Sequence, residues 1–508
     1  MNQLKIPAVL MRGGTSKGLF FRADVLPADP ALTNRILLRA IGSPDPYGKQ
    51  MDGVGGGTSS TSKVVLVSPS SRDDADVDYL FGHVSIEDGL IDFSGNCGNL
   101  TAAVAAFAIE EKMVKVEDGE AVVRIWQANI NKLILAHVPV LHGMPVVEQD
   151  FCFDGLPFPG AEIKLVFLDP AGGSAGKLFP TGNKTDTLDV PELGKIKVTM
   201  IDAGNPTVFV KAKDVGLTGL ESQAEINQHV DILKQLESIR AQAAVAMGLA
   251  ANQEEATASR PATPKISFVA KSANFVAAGG KAVEKTAYDI SARIISMGKL
   301  HHAYTGTGAI ALTVAAYVPG TVVSQTIGKA LDPSRSLRFG QPSGVTEMSA
   351  EVAGKGVDWT VAQVVMRRSA RRLMEGNVLV PMPPELAPPP RSAAEVSNEP
   401  NVWVETKPLG KAPSKQRDKL KEKPKEQNRT KGKSKKPSKT TSPVAEETTE
   451  ERLPTAAVEA PMPLSVEPMP AEAADQPEAA DVAEANGKPN KARRRRRRKP
   501  KAKAGEPA

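Results

Sequence analysis

Cysteine is almost missing: 508 residues carry two, Cys97 and Cys152. Two thiols cannot build a disulfide scaffold, a four-cysteine zinc site or a cysteine-held iron–sulfur cluster. Thiol poverty also fits a reducing compartment. Long apolar runs are lacking as well. The longest, 102–109, falls far short of the ~20 residues that a membrane helix needs. Near the amino terminus only residues 6–11 are uninterrupted by charge, too few for the ~7–15-residue apolar stretch of a secretory segment. The expectation is a soluble, cytoplasmic protein with no membrane association. No H-x-H, H-E-x-x-H or carboxylate cluster at ligand spacing occurs, so no metal is expected.

Net charge is close to nil over the first 380 residues and not beyond them. Residues 381–508 hold 27 Lys+Arg, 19 Asp+Glu, 21 of the 40 prolines and one aromatic, Trp403. The first 380 residues keep 37 basic and 39 acidic groups. The tail combines a Lys-rich stretch (411–439), an Ala/Glu/Pro stretch (444–484) and six arginines at 493–498. It has too little apolar area to offset its ordering entropy and is expected to be disordered. Its basic runs suit non-specific polyanion binding, RNA included; the alternative is a solubilising tail that binds nothing.

The first 380 residues have the pattern of a mixed α/β protein. Short β-rich runs (64–67, 122–126, 133–138, 198–201) alternate with Gly/Asp/Pro punctuation. Helices are expected over 30–41, 99–112, 228–247, 282–296 and 310–318. Gly98-Asn99-Leu100-Thr101-Ala102-Ala103-Val104-Ala105-Ala106-Phe107 aligns without gaps on Gly308-Ala309-Ile310-Ala311-Leu312-Thr313-Val314-Ala315-Ala316-Tyr317. Both read as glycine-rich turns entering a helix that is apolar nearly all round, hence buried. A weaker echo sets 19–25 beside 208–215, in the same order. Two related lobes are expected, 1–185 and 186–380, with a site between them.

Cys97 stands between glycines in Ser94-Gly95-Asn96-Cys97-Gly98-Asn99, one residue before a buried helix. Backbone N–H groups and the helix dipole point at such a position, which favours a thiolate and bound carboxylates. Asn96, Gly98 and Asn99 become candidate substrate contacts. The other reading is a small residue filling a tight turn. Cys152, between Phe151 and Phe153, reads as strand packing. The loop Gly55–Ser62 holds enough glycine and hydroxyl to wrap an oxyanion with Gly57, Thr58, Ser59 and Ser60. It is not a phosphate loop, because the spacing differs and a strand follows it. Lys63 at that strand's start is a site charge or base, or else a surface lysine. Ser16 and Lys17, in Arg12-Gly13-Gly14-Thr15-Ser16-Lys17-Gly18, belong to a second donor loop or to an ordinary hairpin. In the second half the matching motif is Thr305-Gly306-Thr307-Gly308, whose register sets Thr307 opposite Cys97. Thiol against hydroxyl argues against a two-thiol epimerase. His301-His302 read as packing at a loop or helix end. Asn205 and Lys271 complete the candidate contacts, Lys271 with a surface position as its alternative.

Several stretches together carry a resemblance: MRGGTSKG (11–18), GSPDPYGKQMDG (42–53), TSSTSK (58–63), DVDYLFG (76–82), SGNCGNLTAA (94–103), VRIWQAN (123–129), SMGKLHHA (296–303) and RFGQPSG (338–344). The core resembles the 2-methylaconitate cis-trans isomerase family, within the group that shares the diaminopimelate-epimerase fold. The resemblance implies two pseudo-symmetric lobes, each a β-barrel-like sheet around a central helix. It also implies no cofactor and a 1,3-proton shift in a small tricarboxylate alkene of propionate breakdown, with Lys63 and Cys97 as the catalytic pair. The related 4-oxalomesaconate tautomerases are the alternative, and a nucleic-acid-binding protein acting through the tail is the alternative outside enzymes. An oligomer is compatible with the sequence.

Overall fold

Parallel strand pairs need crossovers of a dozen or more residues, and this chain uses four of them to lay out its core. The computed structural model describes residues 3–386; the expectations for the tail beyond residue 386 lie outside the described residues. Nineteen of the strands join in one continuous sheet. One half runs Ala370–Pro381, β1 (Gln3–Gly13), β2 (Ser16–Arg22), β3 (Lys63–Pro69), β4 (Val77–Val84), Gly119–Gln127, Lys132–Leu141 and Ile163–Leu168. Ile163–Leu168 pairs with Asp358–Arg368, which carries the ladder onward. The order then continues Gly344–Lys355, Leu337–Gln341, Ile290–Ser296, Lys265–Lys271, Asn205–Lys211, Gly194–Ala203 and Asp186–Val190.

Counted inward from either outer strand, the pairings run antiparallel, antiparallel, parallel, antiparallel, parallel, antiparallel, antiparallel. Helices fill equivalent crossovers. α1 (Pro30–Ile41) lies between β2 and β3, where the other half inserts α3 (Gln223–Gln228), α4 (Val230–Ala246) and α5 (Gln253–Ser259). α2 (Gly98–Glu110) follows β4, and α6 (Gly306–Tyr317) follows Ile290–Ser296, with α7 (Val322–Ile327) after it. The weak echo of 19–25 on 208–215 is a strand followed by a 3-10 turn in both places, Ala23–Val25 and Ala212–Val215.

α2 and α6 are the buried helices that their composition calls for. Every residue of α6 is buried, and so is α2 from Gly98 to Ile109. Alanine on most faces lets the sheets close round them, and both helices belong to a single hydrophobic core. Their N-termini abut. A Cβ built on Gly306 would lie 2.8 Å from the Asn99 nitrogen, and one on Gly98 would lie 3.2 Å from the Gly306 carbonyl carbon. Gly306→Val is therefore expected to destabilise by at least about 1–3 kcal/mol, the usual cost of overpacking. Thermal unfolding of the full chain checks this, with Gly279→Ala, which meets no atom within 4 Å, expected to unfold near wild type.

Four expected helices are found within one or two residues at most ends. The fifth, 282–296, is not a helix. Ala282–Val283 and Ile290–Ser296 are strands separated by a 3-10 turn at Lys285–Ala287. All seven residues of Ile290–Ser296 are buried, because strands flank it on both edges and packing covers both faces. A strand buried on both faces loses the alternation that marks strands in sequence. The strand packing expected around Cys152 is also absent: Phe151 makes one isolated bridge to Gly160, and Cys152 is exposed. No helix among the described residues is long and apolar enough to cross a membrane.

Candidate active site

The abutting helix N-termini face a small cavity of about 20 Å³ lined by Ser16, Lys63, Phe81, His83, Asn96, Cys97, Asn99, Lys265, Ser296, His301, Thr305, Gly306 and Thr307. No aspartate or glutamate lines it, although it holds two lysines and two histidines. Each helix N-terminus adds roughly half a positive charge. An adjoining outer cavity of about 300 Å³ shares Ser16 and is lined also by Arg12, Lys17, Thr58, Ser60, Thr61 and His302. Among the described residues no group of three or more His, Cys, Asp or Glu is placed to hold a metal ion.

Lys63 is the first residue of β3, and its Nζ donates to Ser16 Oγ at 2.9 Å. Burial lowers its pKa, and the neighbouring Cys97 opposes that shift. Cys97 is the N-cap of α2 and makes no side-chain cap bond, so the sulfur is not committed to the helix. Its carbonyl accepts instead, from Thr101 and from the buried Tyr79 hydroxyl. The hairpin turn after β1 supplies Ser16, so the segment at 12–18 is both a hairpin and a wall of the site.

Lys265 opens the strand Lys265–Lys271 just as Lys63 opens β3. Burial is the main cause that brings its pKa to about 8, and the nearby charge of Lys63 adds to it. Its Nζ donates to the Ala262 carbonyl at 3.0 Å and to Ser296 Oγ at 3.3 Å. Asp92 accepts from the Ser94 and Ala262 amides, tying the cysteine loop to the segment before Lys265. Lys265 was not among the residues singled out in the sequence, yet a signal was present. Leu19 pairs with Val64 and Val208 with Ile266, so the echo that aligns Leu19 with Val208 also aligns Lys63 with Lys265. Lys271 is exposed at the other end of the same strand, roughly 20 Å away at ~3.3 Å per residue. It does not reach the cavity.

The remaining candidates divide by what their polar atoms do. Asn205 lines neither cavity. It clamps the Asn96 backbone, accepting from its N–H and donating to its carbonyl, and also donates to Thr307 Oγ1. Thr307 in turn donates to the Asn96 carbonyl, so its hydroxyl is already committed. Asn99 donates to Thr15 and accepts from the buried Arg368. Thr305 caps α6 by accepting from the Gly308 amide. Gly98 and Gly308 are packing positions, the latter filled against Ile294 and Thr305. In the glycine-rich loop, the Gly57 amide donates to Gln50, and the Thr61 and Ser62 amides donate to the Thr58 carbonyl. Those donors turn inward rather than toward a ligand. Thr58 and Ser60 line the outer cavity, and the Ser59 carbonyl accepts from His83 Nε2 at 2.9 Å. His301 and His302, read as packing, line the inner and outer cavities respectively.

The inner cavity thus brings a buried lysine and a thiol to the junction of two helix N-termini, with no carboxylate among its lining residues. The chain is 49% identical over 392 residues to the 2-methyl-aconitate isomerase of Shewanella oneidensis, covering 75% of this chain and 98% of that one. It is 50% identical over 390 residues to the 2-methyl-aconitate isomerase of Cupriavidus necator, with the same coverage. The crystal structure of a methylitaconate-delta-isomerase superposes with a TM-score of 0.61 at 40% identity, covering 77% of this chain and 99% of that one. The protein is an isomerase of mixed α/β fold. It belongs to the PrpF protein family, whose pattern spans residues 3–381.

Proposed function

We propose that the chain isomerises a tricarboxylate alkene of the 2-methylaconitate type, with Lys63 and Cys97 sharing the roles of base and acid in an allylic proton shift. The observation that carries this reading is the Lys63 amine, buried beside Cys97 in a cavity with cationic and neutral donors and no carboxylate. An allylic proton conjugated through a double bond to a carboxylate is more acidic than an ordinary α-proton. Its removal gives a dienolate whose charge lies on carboxylate oxygens, where Lys265 and the two helix N-termini stabilise it. The former double bond then turns, and reprotonation at the far end of the allyl unit fixes the new geometry. A lysine serves as base only when neutral, and burial makes that form accessible.

The substrate is tested by following ultraviolet absorbance with the full chain and chelator present. Turnover of 2-methyl-aconitate isomers is expected. Turnover of 4-oxalomesaconate alone would replace the substrate while keeping the site, and relatives at about half identity favour the first outcome.

We read the core as two related lobes, roughly 1–185 and 186–380, with strand Ala370–Pro381 crossing back to the first and Asp358–Arg368 pairing to it at the seam. The repeated order of ladder senses supports this. Both cysteines are free, which supports a cytoplasmic setting. For the basic tail we propose accessory polyanion binding. Salt-sensitive RNA binding by the full chain is expected to vanish when 387–508 are deleted, with isomerase activity kept.

A further inference from the structure

Lys63 and Cys97 are buried behind walls that must part before a ligand reaches them. The inner cavity, at about 20 Å³, has room for about one water molecule. The outer cavity is much larger, at about 300 Å³, and Ser16 lines both. Its walls are held unequally. The hairpin turn is fixed by the Gly14 and Lys17 amides, which donate to the Ser369 and Ser60 carbonyls, and by Thr15 and Ser16, which accept from Asn99 and Lys63. The segment around His302 is fixed by the His301 amide, which donates to the Ile294 carbonyl, and by the Ser343 hydroxyl, which donates to the His302 carbonyl.

The wall at Gly155 and Leu156 is different. It belongs to a loop closed at its neck, where Phe151 and Gly160 exchange both backbone hydrogen bonds at 3.2 and 3.0 Å. The ends of 152–159 are thereby brought together as in an Ω-loop. Phe153 lies under the Arg368 guanidinium at 5.5 Å and anchors the neck side. Among the described residues, every hydrogen bond from 152–159 to the rest of the chain is made by the Asp154 carboxylate. It accepts from the Val345 amide at 2.7 Å and pairs with Lys281 Nζ at 2.9 Å. Gly344 permits that approach, since a Cβ there would collide with Asp154 Oδ2. The next residue is a wedge. A Cβ built on Gly155 would lie 2.8 Å from the Thr15 methyl and 3.6 Å from the Cβ atoms of Ala303 and Ser343. Gly155 therefore sits between the hairpin turn that carries Ser16 and the segment that carries His302. Past it, Pro157, Phe158 and Pro159 are exposed, so no packing there duplicates the hold of Asp154.

We propose that loop 152–159 is the gate of the site and Asp154 its latch: release from Val345 and Lys281 withdraws the Gly155 wedge and admits a ligand to Lys63 and Cys97. Asp154 is thus a positioning residue that touches no reacting atom. The inference rests on the proposed isomerase reading only for the identity of what passes, a tricarboxylate anion. A single carboxylate suits a latch. Its charged hydrogen bond is strong enough to keep the loop down most of the time, yet far weaker than the whole fold, so the loop opens locally while the core stays closed.

The test reads the gate without substrate, in the full chain, with iodoacetamide as a small neutral thiol reagent. Cys97 is buried, so its alkylation needs the walls to part, whereas Cys152 is exposed and reports the reagent alone. Peptide mass spectrometry gives both rates. When the loop opens and closes faster than the reagent reacts, the Cys97 rate tracks the open population. Asp154→Ala is expected to alkylate Cys97 about 10–100-fold faster than wild type, the scale of losing a hydrogen bond to a charged group, with Cys152 unchanged. Lys281→Met removes only an ion pair whose lysine is exposed and is expected to change the Cys97 rate by no more than about fivefold. Asp154→Asn keeps an acceptor for the Val345 amide and is expected to recover most of the difference. Hydrogen exchange in α2 is expected to stay at the wild-type rate in all three, because the latch moves a loop and not the core. A wild-type Cys97 rate in Asp154→Ala, or a rise matched by faster exchange throughout α2, would overturn the proposal. If Cys97 is unmasked as expected while no tricarboxylate alkene turns over, the latch stands and the substrate reading falls. If 2-methyl-aconitate isomers turn over while Asp154→Ala leaves Cys97 as slow as in wild type, the latch falls and the isomerase reading stands.

Discussion

Replacing Lys63 by alanine is expected to lower kcat by about 10²–10⁴-fold, the range contributed by a positioned acid–base group, while the full chain stays folded. The fold should survive because burial disfavours the Lys63 amine more than its neighbours Cys97 and Ser16 support it, so its loss leaves little to repair. Circular dichroism and thermal unfolding measure that side of the result, and single-turnover absorbance measures the other. Cys97→Ser is expected to fall by a similar factor, because the sulfur makes no helix-cap bond to lose and a hydroxyl is a far weaker acid than a thiol. Near wild-type turnover in both variants would remove the pair from the mechanism.

Lys265→Met is expected to make the protein more stable and less active. With a pKa of about 8, Lys265 is a cation at pH 7, where burial and the charge of Lys63 outweigh the support of Asp92 and Cys97. The folded pKa lies below the ordinary lysine value of 10.5, so between these two values the unfolded chain binds more protons. Stability should therefore rise with pH through that window, and the penalty is largest below about pH 8. Methionine removes it, so the variant's Tm should exceed wild type at pH 7, with the gain shrinking toward pH 10. Catalysis follows the opposite sign. An anionic substrate needs the protonated amine, so kcat/KM of wild type is expected to fall about tenfold per pH unit above about pH 8, reporting the free enzyme. In Lys265→Met that limb should disappear and kcat/KM at pH 7 should drop about 10²-fold, the scale of losing one partner of a buried charge pair. A retained alkaline limb in the variant would assign it to another group.

Much of the fold was legible because local signals and global packing agree there. Asp29 caps α1, Pro30 opens it and Gly42 closes it in the left-handed region, so chain chemistry marks both ends. The two alanine-rich helices announced their burial by being apolar on all faces. The strand Ile290–Ser296 was not legible, because tertiary cover on both faces erased its alternation. In the site, Cys97 stood out through its glycine and asparagine neighbours and Lys63 through the loop before it. Asp154 did not, because what distinguishes it is its hold on Val345 and Lys281, and pairing is a property of neighbours brought from elsewhere in the chain.

The sequence by itself determined the two buried helices, the glycines that let their N-termini meet, the lysine and thiol, and the family. Tertiary structure alone decided which donors were spent and which were free. The Gly57, Thr61 and Ser62 amides of the glycine-rich loop are used internally, the Thr307 hydroxyl is held by Asn205 and Asn96, and Lys271 is far from the cavity that Lys265 enters. Residue type and spacing fix what a group can donate or accept. Whether that capacity is already filled depends on partners that only the folded chain brings within 3 Å or so.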